Sequence, residues 1–190
     1  MSKGAGDALE RTIWDLLCLV GENPSREGLL ETPRRVAQMY RELLSGYTQD
    51  PDALFKTFEA DGYDEMVVVR DIPFTAFCEH HILPFTGVVH AGYIPKGKVI
   101  GLSKIGRLVE VYSRRLQIQE RMTTQIAETL DKGLTPNRGV MVVVEAEHLC
   151  MVARGVQKPG SKAVTSAVRG DFLTDPATRD EFLSLIRRKQ

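Results

Sequence analysis

The sequence predicts a mixed α+β domain in which helices and strands occupy separate stretches of the chain. Helical periodicity dominates the first 50 or so residues, and runs of β-branched and aromatic residues begin at Met66. Two helical stretches, another apolar strand and a short terminal helix follow. This order favours mainly antiparallel pairing over repeated βαβ units. With 190 residues, 43% of them hydrophobic, the chain is long enough to bury a proper core.

The N-terminal segment is predicted to form a pair of helices rather than a separate domain. Apolar residues recur at helical spacing from Asp7 to Val20. The second helix is predicted to begin at Thr32, a cap residue, with Pro33 in its first turn. We therefore assign residues 1–60 to an N-terminal helical region and residues 61–190 to the main domain.

The main domain is predicted to contain strands, then two helices, then a strand and a helix. Polar or turn residues separate the strand-like runs, and the second helix carries apolar residues four apart. The predicted strands are 66–72, 74–78, 85–95, 98–102 and 140–156, and the predicted helices are 103–115, 118–134 and 175–189.

The composition excludes several classes of function. The formal net charge is zero, so neither a nucleic-acid nor a membrane partner is expected. No apolar run approaches the length of a membrane span, and residues 1–11 lack the apolar segment of a secretory signal. Three cysteines are too few for a disulfide framework, which favours reduced thiols and a cytoplasmic location.

The segment FCEHHILPF, residues 77–85, contains a candidate metal-binding loop. Cys78 and His81 have the C-x-x-H spacing with which a thiolate and an imidazole reach one zinc ion. By itself this spacing is weak evidence, because a buried thiol with two surface imidazoles would look the same. Spacing also leaves open whether His80 or His81 is the ligand, and whether Glu79 supports the site or simply faces solvent.

A second cluster, 70 residues later, strengthens the metal interpretation. In a strand of period two, His148 and Cys150 lie on one face. Two thiolates and one imidazole would fill three positions on zinc and leave the fourth for water, which is typical of catalytic sites. One histidine in each cluster would then remain for proton transfer.

Two further segments suggest a nucleotide. Ser103 and Lys104 lie at a strand-to-helix junction, with Arg107 one turn on, and such a helix start suits phosphate, although the serine would serve equally well as a cap. Gln119 and Glu120 open the next helix, where an amide and a carboxylate could accept the N–H groups of guanine. The alternative is an exposed first turn with a favourable negative charge.

Three segments together closely resemble the GTP cyclohydrolase I family. They are residues 78–95, 99–127 and 145–172, and residues 31–40 match the helical region of the same family. The resemblance implies a zinc-dependent hydrolase acting on a cyclic amidine C–N bond. The reaction releases C8 of GTP as formate and gives 7,8-dihydroneopterin triphosphate, the first step of folate and pterin synthesis.

The resemblance also implies residue roles and an assembly. Zinc, one ion per subunit, would bind Cys78, His81 and Cys150, with His80, His148 and Ser103 catalytic. Gln119 and Glu120 would hold guanine, and the triphosphate would meet Lys104, Arg107, Arg154 and Arg35. The implied fold is the tunnelling fold, an antiparallel sheet with two helices on one face. Its sheets join across subunits into a barrel, in a toroidal homodecamer with sites between subunits and possible allosteric control.

Two alternatives are weighed against this interpretation. A nitrile reductase acting on a deazaguanine base shares the tunnelling fold, but it uses a lone nucleophilic cysteine without a zinc set. A structural zinc protein or a non-catalytic nucleotide-binding module would not need a spare histidine beside each half of the ligand set.

Overall fold

The computed structural model describes residues 7–187. Residues 1–6, which include most of the segment examined for a secretory signal, and residues 188–190 lie outside this range. The chain divides into two compact units, Met1–Ser45 and Gly46–Gln190. The assignment of residues 1–60 and 61–190 to separate regions stays a prediction. No helix within the described range is long and apolar enough to cross a membrane.

The first unit contains the helices α1 (Ala8–Leu19) and α2 (Thr32–Leu43). Asp7 caps α1, because its carboxylate accepts a hydrogen bond from the Leu9 N–H group, and it also forms an ion pair with Arg41 of α2. The prediction of Thr32 as a cap is wrong by one residue. Glu31 occupies the cap position with helical backbone angles, so Thr32 is already inside the helix.

The second unit contains a five-stranded sheet, a two-stranded sheet and helices that pack against the larger sheet. Its elements within the described residues are β1 (Thr57–Glu59), β2 (Val67–Cys78), β3 (Pro84–Pro95), β4 (Lys98–Ile100), α3 (Leu102–Ser113), β5 (Leu116–Gln117), α4 (Gln119–Gly133), β6 (Asn137–His148), α5 (Leu149–Val152), β7 (Lys162–Gly170), α6 (Asp171–Thr174) and α7 (Pro176–Ile186).

The larger sheet has the strand order β5-β2-β3-β6-β7, and β1 pairs with β4. Neighbouring strands run antiparallel, except that the short β5 lies parallel to the end of β2. The predicted α+β class with mainly antiparallel pairing is therefore confirmed.

The core lies between one face of the sheet and the helices α3 and α4. Alternate residues of β3 and β6, such as Val89 and Val142, pack there against Leu108 of α3 and Ile126 of α4. A smaller cluster on the opposite face includes Met141 and the rings of Phe172 and Phe182. Both faces of the central strands are thus covered, which explains their nearly continuous apolar sequence.

A β-bulge in β2 determines which face of the sheet carries the side chains at the C-terminal end of this strand. The register against β3 shifts between Val69 and Ile72, and Asp71 adopts a φ of +58°. Because of the extra residue, Val69 and Cys78 both face the core of α3 and α4, although an offset of nine positions would place them on opposite faces of a regular strand. Cys78 therefore lies on the helix-covered side of the sheet.

One strand prediction is wrong at its end. The stretch 140–156 was predicted as a single strand, but β6 ends at His148 and the chain enters the helical turn α5. Ala153 N–H donates to Leu149 O, which closes this turn. Cys150 is therefore carried by a helical turn, and the expectation that strand alternation aligns it with His148 does not hold.

The side chain of His90 supports the bulge, which generates a prediction. Its buried imidazole accepts a hydrogen bond from the Asp71 N–H group, with 3.1 Å between Asp71 N and His90 Nδ1. We expect His90→Leu to leave this amide without its acceptor and to lower the free energy of unfolding by about 1–3 kcal/mol in urea denaturation. His90→Asn, which keeps an acceptor, should lose less. Equal losses for both variants would contradict the role of this hydrogen bond.

Candidate metal centre and nucleotide site

The loop between β2 and β3 turns back over Cys78 and presents His81. The Cys78 carbonyl accepts from the N–H groups of His81 and Ile82, at N–O distances of 3.4 and 2.8 Å, and Leu83 O accepts from Cys78 N–H at 2.9 Å. Ile82 has a φ of +52°, which β-branched residues rarely adopt, so the loop depends on these contacts.

Cys78, His81 and Cys150 form a possible metal site. One ligand atom from each residue lies within 4.8 Å of the other two. A tetrahedral zinc-type site needs ligand atoms about 3.3–3.8 Å apart, so a small inward movement would place all three on one ion. Cys78 is buried, whereas His81 is exposed, and the group therefore opens to solvent on the histidine side.

The electrostatics of the two thiols favour a cation between them. Burial raises the pKa of the Cys150 thiol, and the neighbouring Cys78 sulfur raises it further. Two thiolates this close repel each other unless a positive charge compensates them. A bound divalent ion would supply that charge and deprotonate both sulfurs, so the donor set fits a thiophilic metal.

The two adjacent histidines differ in their relation to the sulfurs. His81 belongs to the three-residue group that could hold a metal ion, and its role as a ligand stays a prediction. His80 is exposed, and its Nδ1 atom lies 3.7 Å from Cys78 Sγ. Arg154, a predicted triphosphate ligand, has its Nη1 atom 3.4 Å from His81 Nε2. Arg154, His80 and His81 thus all lie beside the metal group, on its solvent-exposed side.

His148 lies at the end of β6 with its ring stacked on Phe85. The ring centroids are 4.6 Å apart and the planes differ by 1°. Phe85 and His148 are direct neighbours in the register of β3 and β6. Burial lowers the pKa of the His148 imidazole, with Glu120 opposing the shift, so the ring is neutral near pH 7.

The hydrogen bonds of Gln119 determine which nitrogen of His148 carries the proton. Gln119 Nε2 donates to the carbonyl oxygens of Val144 and Ala163, both at 3.0 Å. Its Oε1 atom must therefore accept the hydrogen bond from His148 Nε2, at 2.8 Å. In the neutral ring Nδ1 is then the nitrogen that can accept a proton.

Gln119 was predicted to contact a guanine base, but its side chain is 2% exposed and its amide is occupied by protein groups. The neighbouring Glu120 is exposed in the first turn of α4 and influences His148 electrostatically. Of the two residues, Glu120 is the one whose side chain is available to a ligand.

Of the predicted phosphate-binding residues in the second unit, Arg154 lies beside the metal group, whereas three others are carried by α3. Ser103, Lys104 and Arg107 lie in the first half of α3, directly after β4. Ile100 N–H, at the end of β4, donates to the hydroxyl of Tyr93, eight residues along β3 from Phe85. At ~3.3 Å per residue, Tyr93 lies roughly 26 Å along β3 from Phe85, so the start of α3 is near the opposite end of that strand from the metal group. Arg35 is exposed on α2 of the first unit.

Two structural partners of the site are not indicated by any sequence motif. Phe85, which stacks on His148, belongs to the segment of residues 77–85 but reads there as an ordinary strand residue. Arg121, which directly follows Glu120, forms an ion pair with Glu79. Their only sequence signal is adjacency to site residues, and adjacency alone does not reveal a contact made through the fold.

The fold and the site together define an α+β protein with a possible metal site, and its similarity to known proteins is more specific. The family model for GTP cyclohydrolase I matches residues 9–187. GTP cyclohydrolase 1 of Dehalococcoides mccartyi strain 195 is 56% identical over 184 residues, covering 96% of this chain and 97% of the relative. GTP cyclohydrolase 1 of Streptomyces avermitilis is 59% identical over 180 residues, covering 93% and 88%. The chain belongs to the GTP cyclohydrolase I family, as its motifs indicated.

Among solved structures, the archaeosine synthase QueF-Like in its apo form aligns with a TM-score of 0.46 and 18% identity. The alignment covers 55% of this chain and 93% of that chain.

The three-residue group predicts that each chain binds one thiophilic divalent ion. We expect Co²⁺ to give thiolate charge-transfer absorption at one equivalent per chain. Cys150→Ala should lose this absorption because it removes one sulfur ligand. Cys18→Ala, which removes an exposed cysteine of α1, should keep it. Equal Co²⁺ spectra for the two variants would contradict the ligand assignment.

Proposed function

We propose that this chain is a GTP cyclohydrolase I, which hydrolyses GTP at C8 of the purine to formate and 7,8-dihydroneopterin triphosphate. The observation that carries the proposal is the group of Cys78, His81 and Cys150 near a half-buried His148 whose ring is oriented by Gln119. Family membership over nearly the whole chain supports the same reaction. This reaction would make the chain the first enzyme of folate and pterin synthesis.

Zinc is the metal we propose for the site, one ion per chain. Two sulfurs and an imidazole suit zinc, and three protein ligands leave one position for water. When bound, the ion supplies Lewis acidity that makes a water molecule nucleophilic near neutral pH. The presence of three candidate metal ligands also favours this function over that of a nitrile reductase, which uses a lone nucleophilic cysteine.

His148 and His80 are proposed to move protons during ring opening. With its Nε2–H group held by Gln119, His148 would accept a proton at Nδ1 and pass it to N7 of the purine, which makes C8 more electrophilic. His80 is exposed beside the metal group and would exchange protons as C8 leaves. Ser103 would assist later, where the ribose rearranges.

Glu120 is proposed as the anchor for guanine, because its carboxylate matches the paired N–H donors of that base. The buried Gln119 amide then has a different task from the one expected: it orients His148, while its position in the first turn of α4 brings Glu120 close to the metal end. Lys104, Arg107, Arg154 and Arg35 are proposed to bind the triphosphate.

The active site is proposed to form between subunits. In one chain the start of α3 lies near Tyr93, at the opposite end of β3 from Phe85 and the metal group. A second copy, offset along the sheet edge, would bring its own Ser103, Lys104 and Arg107 to the metal centre. The edge strands β5 and β7 supply the unpaired backbone groups through which sheets could join.

This assembly is proposed as a tunnelling-fold barrel in a toroidal homodecamer. Residues 1–60 would form the helical region and 61–190 the catalytic domain. A cytoplasmic location accords with three free cysteines, two of them in the metal group.

Wild-type protein loaded with zinc should release formate from GTP and develop the absorbance of a dihydropterin. His148→Ser should keep one zinc per chain but lose more than about a hundredfold in turnover, because general acid–base catalysis contributes that much or more. Formate assays and metal analysis on the same samples check both points. A variant that loses zinc instead would place His148 among the ligands.

A site shared between chains predicts complementation. Cys150→Ala removes the metal half of the site, and Arg107→Gln weakens the phosphate half, so each variant alone should be inactive or nearly so. When the two are co-expressed and mixed assemblies are isolated with two affinity tags, activity should reappear, because some interfaces combine two intact halves. Mixed assemblies as inactive as the separate variants would contradict a shared site.

A further inference from the structure

Glu79 lies between the metal ligand Cys78 and His80, yet nothing in the proposed chemistry uses it. Its carboxylate forms an ion pair with Arg121, 42 residues further along the chain. Arg121 in turn directly follows Glu120, the proposed guanine anchor. The pair therefore links the loop that holds the metal to the helix turn that holds the base.

We propose that Glu79 and Arg121 are positioning residues, whose ion pair sets the separation between the metal-binding loop and the carboxylate of Glu120. The inference rests on the proposed function, because it concerns how one purine is held at both ends. C8 of the purine must lie at the metal group while the opposite edge of the base contacts Glu120. Catalysis needs both contacts at once, so their separation matters as much as each contact.

The guanidinium of Arg121 is held in one orientation by three contacts. Its Nε atom donates to Gln117 Oε1 at 3.1 Å, and its Nη2 atom donates both to Glu79 and to Leu116 O, the latter at 3.1 Å. Three donors of a planar group cannot all stay paired if the group turns. Glu79 consequently meets a fixed partner rather than a mobile surface cation.

Gln117 connects Arg121 to the interior of the domain by hydrogen bonds. It is 2% exposed, and its Nε2 atom donates to Tyr112 O and to Gln125 Oε1, both at 2.9 Å. A backbone hydrogen bond also joins these two segments, because Glu79 N–H donates to Gln117 O at 3.0 Å. The metal loop, β5 and the start of α4 are thus tied by backbone and side chain together.

Folding stability does not account for the pair. The side chains of Arg121 and Glu79 are 41% and 32% exposed, and ion pairs with such exposure contribute little to stability. Glu128 of α4 and Arg169 of β7 form a comparable exposed pair, 2.9 Å apart and away from the metal loop. That pair provides a matched control.

The test compares GTP with inosine triphosphate, which lacks the 2-amino group of guanine. Glu79→Gln and Arg121→Gln should raise the KM for GTP by about 10- to 100-fold, the usual range for losing a partner that orients a ligand group. The inhibition constant of inosine triphosphate should rise less, because it makes fewer contacts with Glu120. Zinc content and the Co²⁺ spectrum should stay as in wild type in both variants, and the unfolding midpoint should stay as in wild type in Glu79→Gln, which leaves the partners of Gln117 in place. Glu128→Gln should change none of these quantities.

A double variant of Glu79 and Arg121 completes the test. If the two residues act as one unit, the double variant should lose no more than the worse single variant. Additive losses, unchanged discrimination against inosine triphosphate, or loss of zinc from the single variants would each overturn the proposal. A wild-type chain that binds zinc but releases no formate would instead overturn the proposed function, and the positioning role with it.

Discussion

The pairing of β3 with β6 is the constraint on which the metal end of this protein depends. Its register puts Phe85 opposite His148, and the aromatic ring then stacks on the imidazole. Cys150 follows His148 by two residues and lies beside Cys78, which ends β2, the other neighbour of β3. A slip of one residue would turn every side chain of β6 to the other face and separate the ligands.

Two buried glutamines fix the orientations of the His148 and Arg121 side chains. A buried amide without partners is costly, and both Gln117 and Gln119 have donors and acceptors fully engaged. Gln119 can therefore present only its oxygen to His148, and Gln117 can present only its oxygen to Arg121. The site is organised by groups that do not themselves face the solvent.

The separation of the metal group from the start of α3 has a structural cause. The metal group lies at the end of β3 that carries Phe85, whereas the start of α3 lies near Tyr93 at the other end of that strand. The sequence places these segments in the order expected of the family, but order along a chain carries no information about distances in the fold.

The sequence by itself determined the α+β class, most of the elements and the two Cys and His clusters from which a metal site could be built. Those features depend on local periodicity and on the chemistry of Cys and His, both of which are readable residue by residue. The sequence could not separate His80 from His81, because adjacency says nothing about how a loop turns over Cys78.

The tertiary structure decided the rest. The bulge at Asp71 turns Cys78 towards the core, the helical turn after His148 replaces the predicted strand, and Arg121 gives Glu79 a partner. Each of these depends on contacts between residues far apart in the chain. Such contacts are set by packing and by the need to pair buried polar groups, which no local pattern records.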